Sequence, residues 1–234
     1  MIRTPIEKIL FIDIETVGCA ATLNDLESSN PALAYQFRYY EDYFKRKYAE
    51  EENSTIEDIF VNKAALTPEF AKIVCVSVSF VANGEPKIQS FSGDDEHEIL
   101  CNLSNLLNRV EKIGFTLCGH NVKNFDIPML EKRMIINNIL IPGILPSYDT
   151  KPWDIKVIDT KDIWQCGAFG TIGTLELMCV SLGIDSPKNM EVTGNKVHDA
   201  YWNKKDLKGI VEYCEKDTVT LVEVIKKFNS LQLC

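Results

Sequence analysis

The chain has 234 residues, of which 45% are hydrophobic and 25% charged, with a formal net charge of −9. This composition excludes disordered, collagen-like and low-complexity classes, and the acidic balance argues against a protein that coats nucleic acid through charge alone. No apolar stretch approaches the ~20 residues of a membrane span, and the opening MIRTPIEKIL does not read as a signal peptide, because its apolar run ends at Asp13.

In chain order, residues 8–14 (KILFIDI) read as a strand buried on both faces, since Ile9 to Ile12 are all apolar. Residues 20–66 interrupt the strand pattern with an aromatic and charged segment containing YQFRYYEDYFKRKYAEEE. Strands are predicted over 73–81 and 87–91, joined as a hairpin through Asn83-Gly84. A helix follows over 94–110, with Ile99, Leu103, Leu106, Leu107 and Val110 on one face. Next come a strand near 114–118, a helix over 126–138 with Pro128 near its start, a loop over 141–153 and a strand over 155–159. A helix near 172–182 should stop at Gly183, and a last helix should span 205–230. Strands early and helices later imply one mixed α/β domain over 1–234, with helices on both faces of a sheet.

The eight cysteines form no CxxC pair and have only three histidines to join them, so a zinc site is not expected. They read as reduced, small core residues, which fits a cytoplasmic protein.

Three acidic motifs carry the chemistry. In Asp13-Ile14-Glu15-Thr16 the two carboxylates lie two apart, so on a strand they share a face and repel unless a cation or proton lies between them. A strand running out into a polar loop is the plain alternative. In Gly119-His120-Asn121-Val122-Lys123-Asn124-Phe125-Asp126, Asp126 opens a helix, where it can be an N-cap, and His120 more often has a structural role than a ligand role. In Tyr213-Cys214-Glu215-Lys216-Asp217, residues four apart place the hydroxyl and the carboxylate on one helical face. Asp217 lies among Val211, Val219 and Leu221, where an aspartate needs a partner or a solvated face.

Taken in order, the motifs resemble those of the DEDD superfamily of 3′→5′ exonucleases, which have a ribonuclease-H-like fold. Asp13 and Glu15 match D-x-E, and Asn121, Phe125 and Asp126 match N-x(2–3)-F-D. Tyr213 and Asp217 match Y-x(3)-D, the tyrosine (DEDDy) form; the histidine form would need histidine where Glu212 stands. The runs D-I-E-T, G-H-N…F-D-x-P-x-L and Y-C-x-x-D are similar to those of the exonuclease domain of family B DNA polymerases and of stand-alone exonucleases related to it. The resemblance covers residues 8–18 and 70–229 and leaves 20–66 as a helical insertion after the first strand.

The resemblance implies a mixed sheet flanked by helices and hydrolysis of phosphodiesters from a 3′ end. Two Mg²⁺ or Mn²⁺ ions, ~3.5–4 Å apart, would activate water and stabilise the leaving oxygen. Asp13, Glu15 and Asp217 would hold one ion, and Asp13 and Asp126 the other. Tyr213 would orient the attacking water, being a poor base with an ordinary pKa of ~10. Thr16, Asn121 and Phe125 would line the 3′-terminal nucleotide. Single-stranded DNA is the expected substrate, with RNA trimming, or an inactive nucleic-acid-binding module of the same fold, as alternatives. With no polymerase region in the sequence, proofreading would need a separate polymerase or repair protein. Further strand contacts could come from Lys72, Lys123, Lys151 and Lys45-Arg46-Lys47, and from Tyr35, Phe37, Tyr39, Tyr40 and Tyr43, unless those aromatics simply pack on the domain.

Overall fold

The computed structural model describes residues 4–48, 54–146, 149–151, 153–168, 170, 172–185 and 191–231. Five strands form one sheet: β1 (Ile9–Gly18), β2 (Ala71–Ala82), β3 (Glu85–Ser92), β4 (Thr116–Gly119) and β5 (Ile158–Asp159). Their order is β3-β2-β1-β4-β5. The β2–β3 hairpin turns at Asn83 and Gly84, both with positive φ (54° and 83°), the backbone that an Asn-Gly pair tolerates best. β1 pairs antiparallel with β2 and parallel with β4, and β4 is parallel to β5. The sheet is therefore mixed.

Alternation along β1 decides what lies on each face. Leu10, Ile12 and Ile14 pack with α5 (Glu96–Lys112) and α6 (Asp126–Ile136) through Ile99, Leu103, Leu107, Met129, Leu130 and Met134. Ile9 and Phe11 face the other way, toward Met178 and Cys179 of α8 (Leu175–Leu182) and Leu221, Val222 and Ile225 of α10 (Leu207–Leu231). By parity, Asp13 and Glu15 continue the Ile9/Phe11 face and point toward α10. α8 ends at Gly183 in the left-handed conformation, as the sequence predicts.

The first strand is longer than the 8–14 that the apolar run predicts. Pairing with β2 continues to Gly18 opposite Ala71, and Val17 is fully buried. D-x-E therefore lies within the strand rather than at its end. The register slips just after it, between Glu15 and Thr16.

Residues 20–66 hold four helices, α1 (Leu23–Ser29), α2 (Pro31–Tyr39), α3 (Glu41–Tyr48) and α4 (Ile56–Lys63). They enclose their own core of Leu23, Leu26, Phe37, Phe44, Ile59 and Phe60. Capping boxes at Thr22/Asp25 and Thr55/Asp58 start α1 and α4. Two short helices, α7 (Thr160–Gln165) and α9 (Val197–Trp202), were not expected from the sequence. Of the described cysteines, Cys75, Cys118, Cys179 and Cys214 are buried and Cys166 is exposed; all are free thiols. No helix of the described residues is long and apolar enough to cross a membrane.

Candidate active site

Three elements bring the acidic motifs together. β1 supplies Asp13 and Glu15, the start of α6 supplies Asp126, and the middle of α10 supplies Tyr213 and Asp217. Ligand atoms of Asp13, Glu15 and Cys214 all lie within 4.8 Å of one another. Glu15, Asp126 and Asp217 are buried, at 7%, 4% and 7% exposure, which no group of carboxylates tolerates without a counter-charge. Asp13 Oδ2 and Asp217 Oδ1 are buried with no hydrogen-bond partner among the described residues.

The electrostatics follow from that crowding. Burial, then the charges of Glu15, Asp217 and Asp126, hold the Asp13 carboxyl well above the usual carboxylate range. Burial and the Asp217 charge do the same to Glu15. Burial pushes Asp126 up to about 8, with backbone N–H groups opposing the shift, and Asp217 up to about 6, opposed by the Tyr213 hydroxyl. Tyr213 is itself pushed far above its ordinary value by burial and by Asp217, Glu15 and Asp13. It is a committed hydrogen-bond donor. The Cys214 thiol is also pushed up by burial and donates to the Asp13 carbonyl at 3.4 Å. It is therefore neither a thiolate nor a natural ligand for a hard cation.

This donor set fits divalent cations. Four oxygen-only side chains converge, two of their oxygens lack partners, and Asp217 raises the proton affinity of Asp13, Glu15 and Asp126. A hard cation relieves all three conditions.

The loop from β4 to α6 is fixed by Gly119 and His120 of the second motif and by Asp159, which motif matching does not single out. Gly119 permits close packing, because a Cβ there would come within 2.7 Å of Val122 and 3.1 Å of the Ile12 carbonyl. Buried Asp159 accepts from the backbone N–H groups of Asn121 (2.8 Å), Lys123 (3.1 Å) and Lys161 (3.0 Å). His120 is a clasp rather than a ligand: Nδ1 meets the Thr160 hydroxyl at 3.0 Å and Nε2 the Gly173 carbonyl at 2.7 Å. Asp126 is not an N-cap. It is the first residue of α6, and its carboxylate accepts from the Ile14 backbone. Asp159→Ala is expected to leave three donors unpaired, lower stability by about 1–3 kcal/mol and shift Asp126 off its position. Urea unfolding together with a weakened dependence of activity on metal concentration checks this.

Thr16 and Phe125 line one cavity of about 340 Å³ with Glu15, Val61, Leu66, Asn195 and His198. The Thr16 hydroxyl donates to the Ala65 carbonyl at 2.9 Å. Asn121 is not among the lining residues. It takes a left-handed turn (φ 58°), and its side-chain oxygen accepts from Lys161 at 3.2 Å.

Several proposed strand contacts are engaged elsewhere. Phe37 is fully buried in the insertion core and cannot stack on a base. Lys72 donates to the Tyr201 hydroxyl at 2.9 Å, and Lys123 pairs with Asp162 at 2.9 Å. Lys151 lies over the Trp153 ring, 5.6 Å from its centre.

Residues 64–232 match the family described as a predicted 3′-5′ exonuclease related to the exonuclease domain of PolB. The chain belongs to this family. Asp126, Tyr213 and Asp217 lie inside the span matched to this exonuclease family, while Asp13, Glu15 and most of the insertion precede it. Among curated proteins, no sequence matches. Among solved structures, the family B DNA polymerase of the hyperthermophilic archaeon Pyrobaculum calidifontis superposes with a TM-score of 0.59 at 15% identity, over 95% of this chain. That superposition includes most of the part outside the family match and supports the ribonuclease-H-like α/β fold. The chain spans only 24% of the polymerase. Membership of a PolB-related exonuclease family makes this an exonuclease, with nucleic acid as its substrate class.

Proposed function

We propose that the chain is a metal-dependent 3′-5′ exonuclease that acts on single-stranded DNA and releases nucleoside 5′-monophosphates. The observation that carries this reading is the pair of partnerless buried oxygens, Asp13 Oδ2 and Asp217 Oδ1, beside Glu15 and Asp126. Asp13, Glu15 and Asp217 would hold one Mg²⁺ or Mn²⁺, and Asp13 and Asp126 would hold a second. When bound, the cations supply acidification of the attacking water and charge stabilisation of the leaving 3′-oxygen. The acidic pocket by itself repels a phosphodiester, a repulsion that bound cations would offset.

Tyr213, whose proton goes to Asp217, orients the attacking water by accepting a hydrogen bond from it; its raised pKa removes it as a base. Tyr213→Phe is expected to lower kcat by about tenfold or less, the value of one hydrogen bond. A loss as deep as that of an Asp13 variant, measured in the same assay, would overturn the orienting role. Thr16 and Phe125 receive the terminal nucleotide in the cavity beside Glu15, and Asn121 turns the chain that presents Phe125 and Asp126.

The test is digestion of matched 5′-labelled DNA and RNA oligonucleotides with Mn²⁺ or Mg²⁺. A ladder shortening from the 3′ end, with DNA consumed first, supports the proposal. Rapid loss of RNA with intact DNA overturns the substrate, and strand binding without cleavage of either indicates an inactive binding module.

A further inference from the structure

The insertion carries seven aromatic side chains between Tyr35 and Tyr48. Packing explains Phe37 and Phe44, which are buried and meet edge-on with Phe60 and Phe70. It leaves Tyr35, Tyr39, Tyr40 and Tyr43 outside, at 64%, 69%, 48% and 48% exposure. These four form a row. Ring centres are 6.4 Å apart for Tyr35–Tyr39, which are stacked, then 5.2 Å for Tyr39–Tyr40 and 6.5 Å for Tyr40–Tyr43, which meet edge-on and so turn their faces in different directions. Lys47 continues it, 5.6 Å from the Tyr43 ring.

Tyr40, Tyr43 and Lys47 form one side of an open groove of about 540 Å³ whose other side is Thr67 to Phe70. The residues just before, Ala65 and Leu66, line the cavity beside Glu15 and Phe125. One short stretch of chain, residues 65–70, is thus a wall of both hollows.

We propose that the exposed tyrosine row of α2 and α3 is the track for the upstream part of a single DNA strand whose 3′ end lies at the carboxylates. This rests on the exonuclease reading above. The occupant follows from chemistry. A net charge of −9 gives little hold on a phosphate backbone, so a processed strand must be held by its bases. Aromatic faces do this for any base, at about five- to 150-fold in affinity per stacked base, and only an unpaired strand offers free faces. Lys47 lies over the Tyr43 and Tyr48 rings and braces the end of the row.

The experiment measures KM on 5′-labelled oligo(dT) from 3 to 15 nucleotides with Mn²⁺, for the unmodified protein and for the triple variant Tyr39→Ala/Tyr40→Ala/Tyr43→Ala. Unmodified protein should show KM falling at least tenfold as the strand lengthens, and the variant should flatten that dependence. Fifteen-nucleotide strands with abasic upstream positions should behave toward unmodified protein like short ones, which tests the track without any variant. Retention of the full length dependence by the variant, or no penalty for abasic strands, overturns the proposal. If no strand is degraded, polarisation of the same labelled strands replaces KM. Length-dependent binding that the triple variant loses then supports the track while counting against the exonuclease chemistry alone; binding independent of length overturns the track.

Discussion

Asp13→Ala or Asp217→Ala is expected to lower turnover at least about 100-fold, the usual cost of removing one preorganised stabiliser of transition-state charge. The same variants should make the metal-free protein more stable. Each removes a buried carboxylate oxygen that has no partner and a charge that burial opposes, joined at Asp13 by the neighbouring carboxylates. For Asp217, held up to about 6 against an ordinary 3.8, the gain is on the order of 1–3 kcal/mol at pH 8. A structural aspartate would show the reverse, with activity and stability falling together. Opposite movement of kcat and of the urea midpoint is therefore the signature of a ligand site, and parallel loss of both would sink the assignment.

The second large effect is a pH dependence that cations abolish. In the metal-free protein, Asp126 and Asp217 have carboxyl pKa values of about 8 and about 6, raised chiefly by burial. Asp13 and Glu15 are raised as well. Unfolded, all four titrate near ~4. Between those limits the folded protein holds protons that the unfolded chain has released, so the unfolded chain binds fewer and stability falls as pH rises. Metal-free protein should be markedly more stable at pH 5.5 than at pH 8.5. Mn²⁺ competes with those protons for the same oxygens and binds best at the higher pH. At a hundred times its dissociation constant it adds about 2.7 kcal/mol. Urea titrations at both pH values, with and without Mn²⁺, check this. Equal metal-free stability at the two values would mean that the carboxylates are not held together in the fold.

Much of this arrangement was legible in the residues themselves. Alternation through Ile9, Phe11, Asp13 and Glu15 put both carboxylates on one face, and the four-residue step from Tyr213 to Asp217 put those groups on another. What could not be read was whether the faces meet, because that depends on α10 lying against β1. The extent of β1 was missed because Thr16 to Gly18 are held by pairing with β2 rather than by an apolar run. α9 was missed because six residues are too few for a period. It is anchored from outside, by Tyr201 to Lys72 and Asp94 and by His198 to Gly18 and Ala21. Asp159 read as a strand end, since two of its three donors, Asn121 and Lys123, lie 38 and 36 residues away. In the insertion, the Thr-x-x-Asp starts of α1 and α4 were visible signals. The division between buried phenylalanines and exposed tyrosines was not, because both follow helical spacing.

Asp217 lies in α10, which begins at Leu207, whereas Asp13 and Glu15 lie in the first strand. Chain synthesis that has passed residue 200 of this sequence has made three of the four carboxylates but not the helix that carries the fourth. On the proposed assignment, the site is therefore completed in one step, when α10 docks on β1.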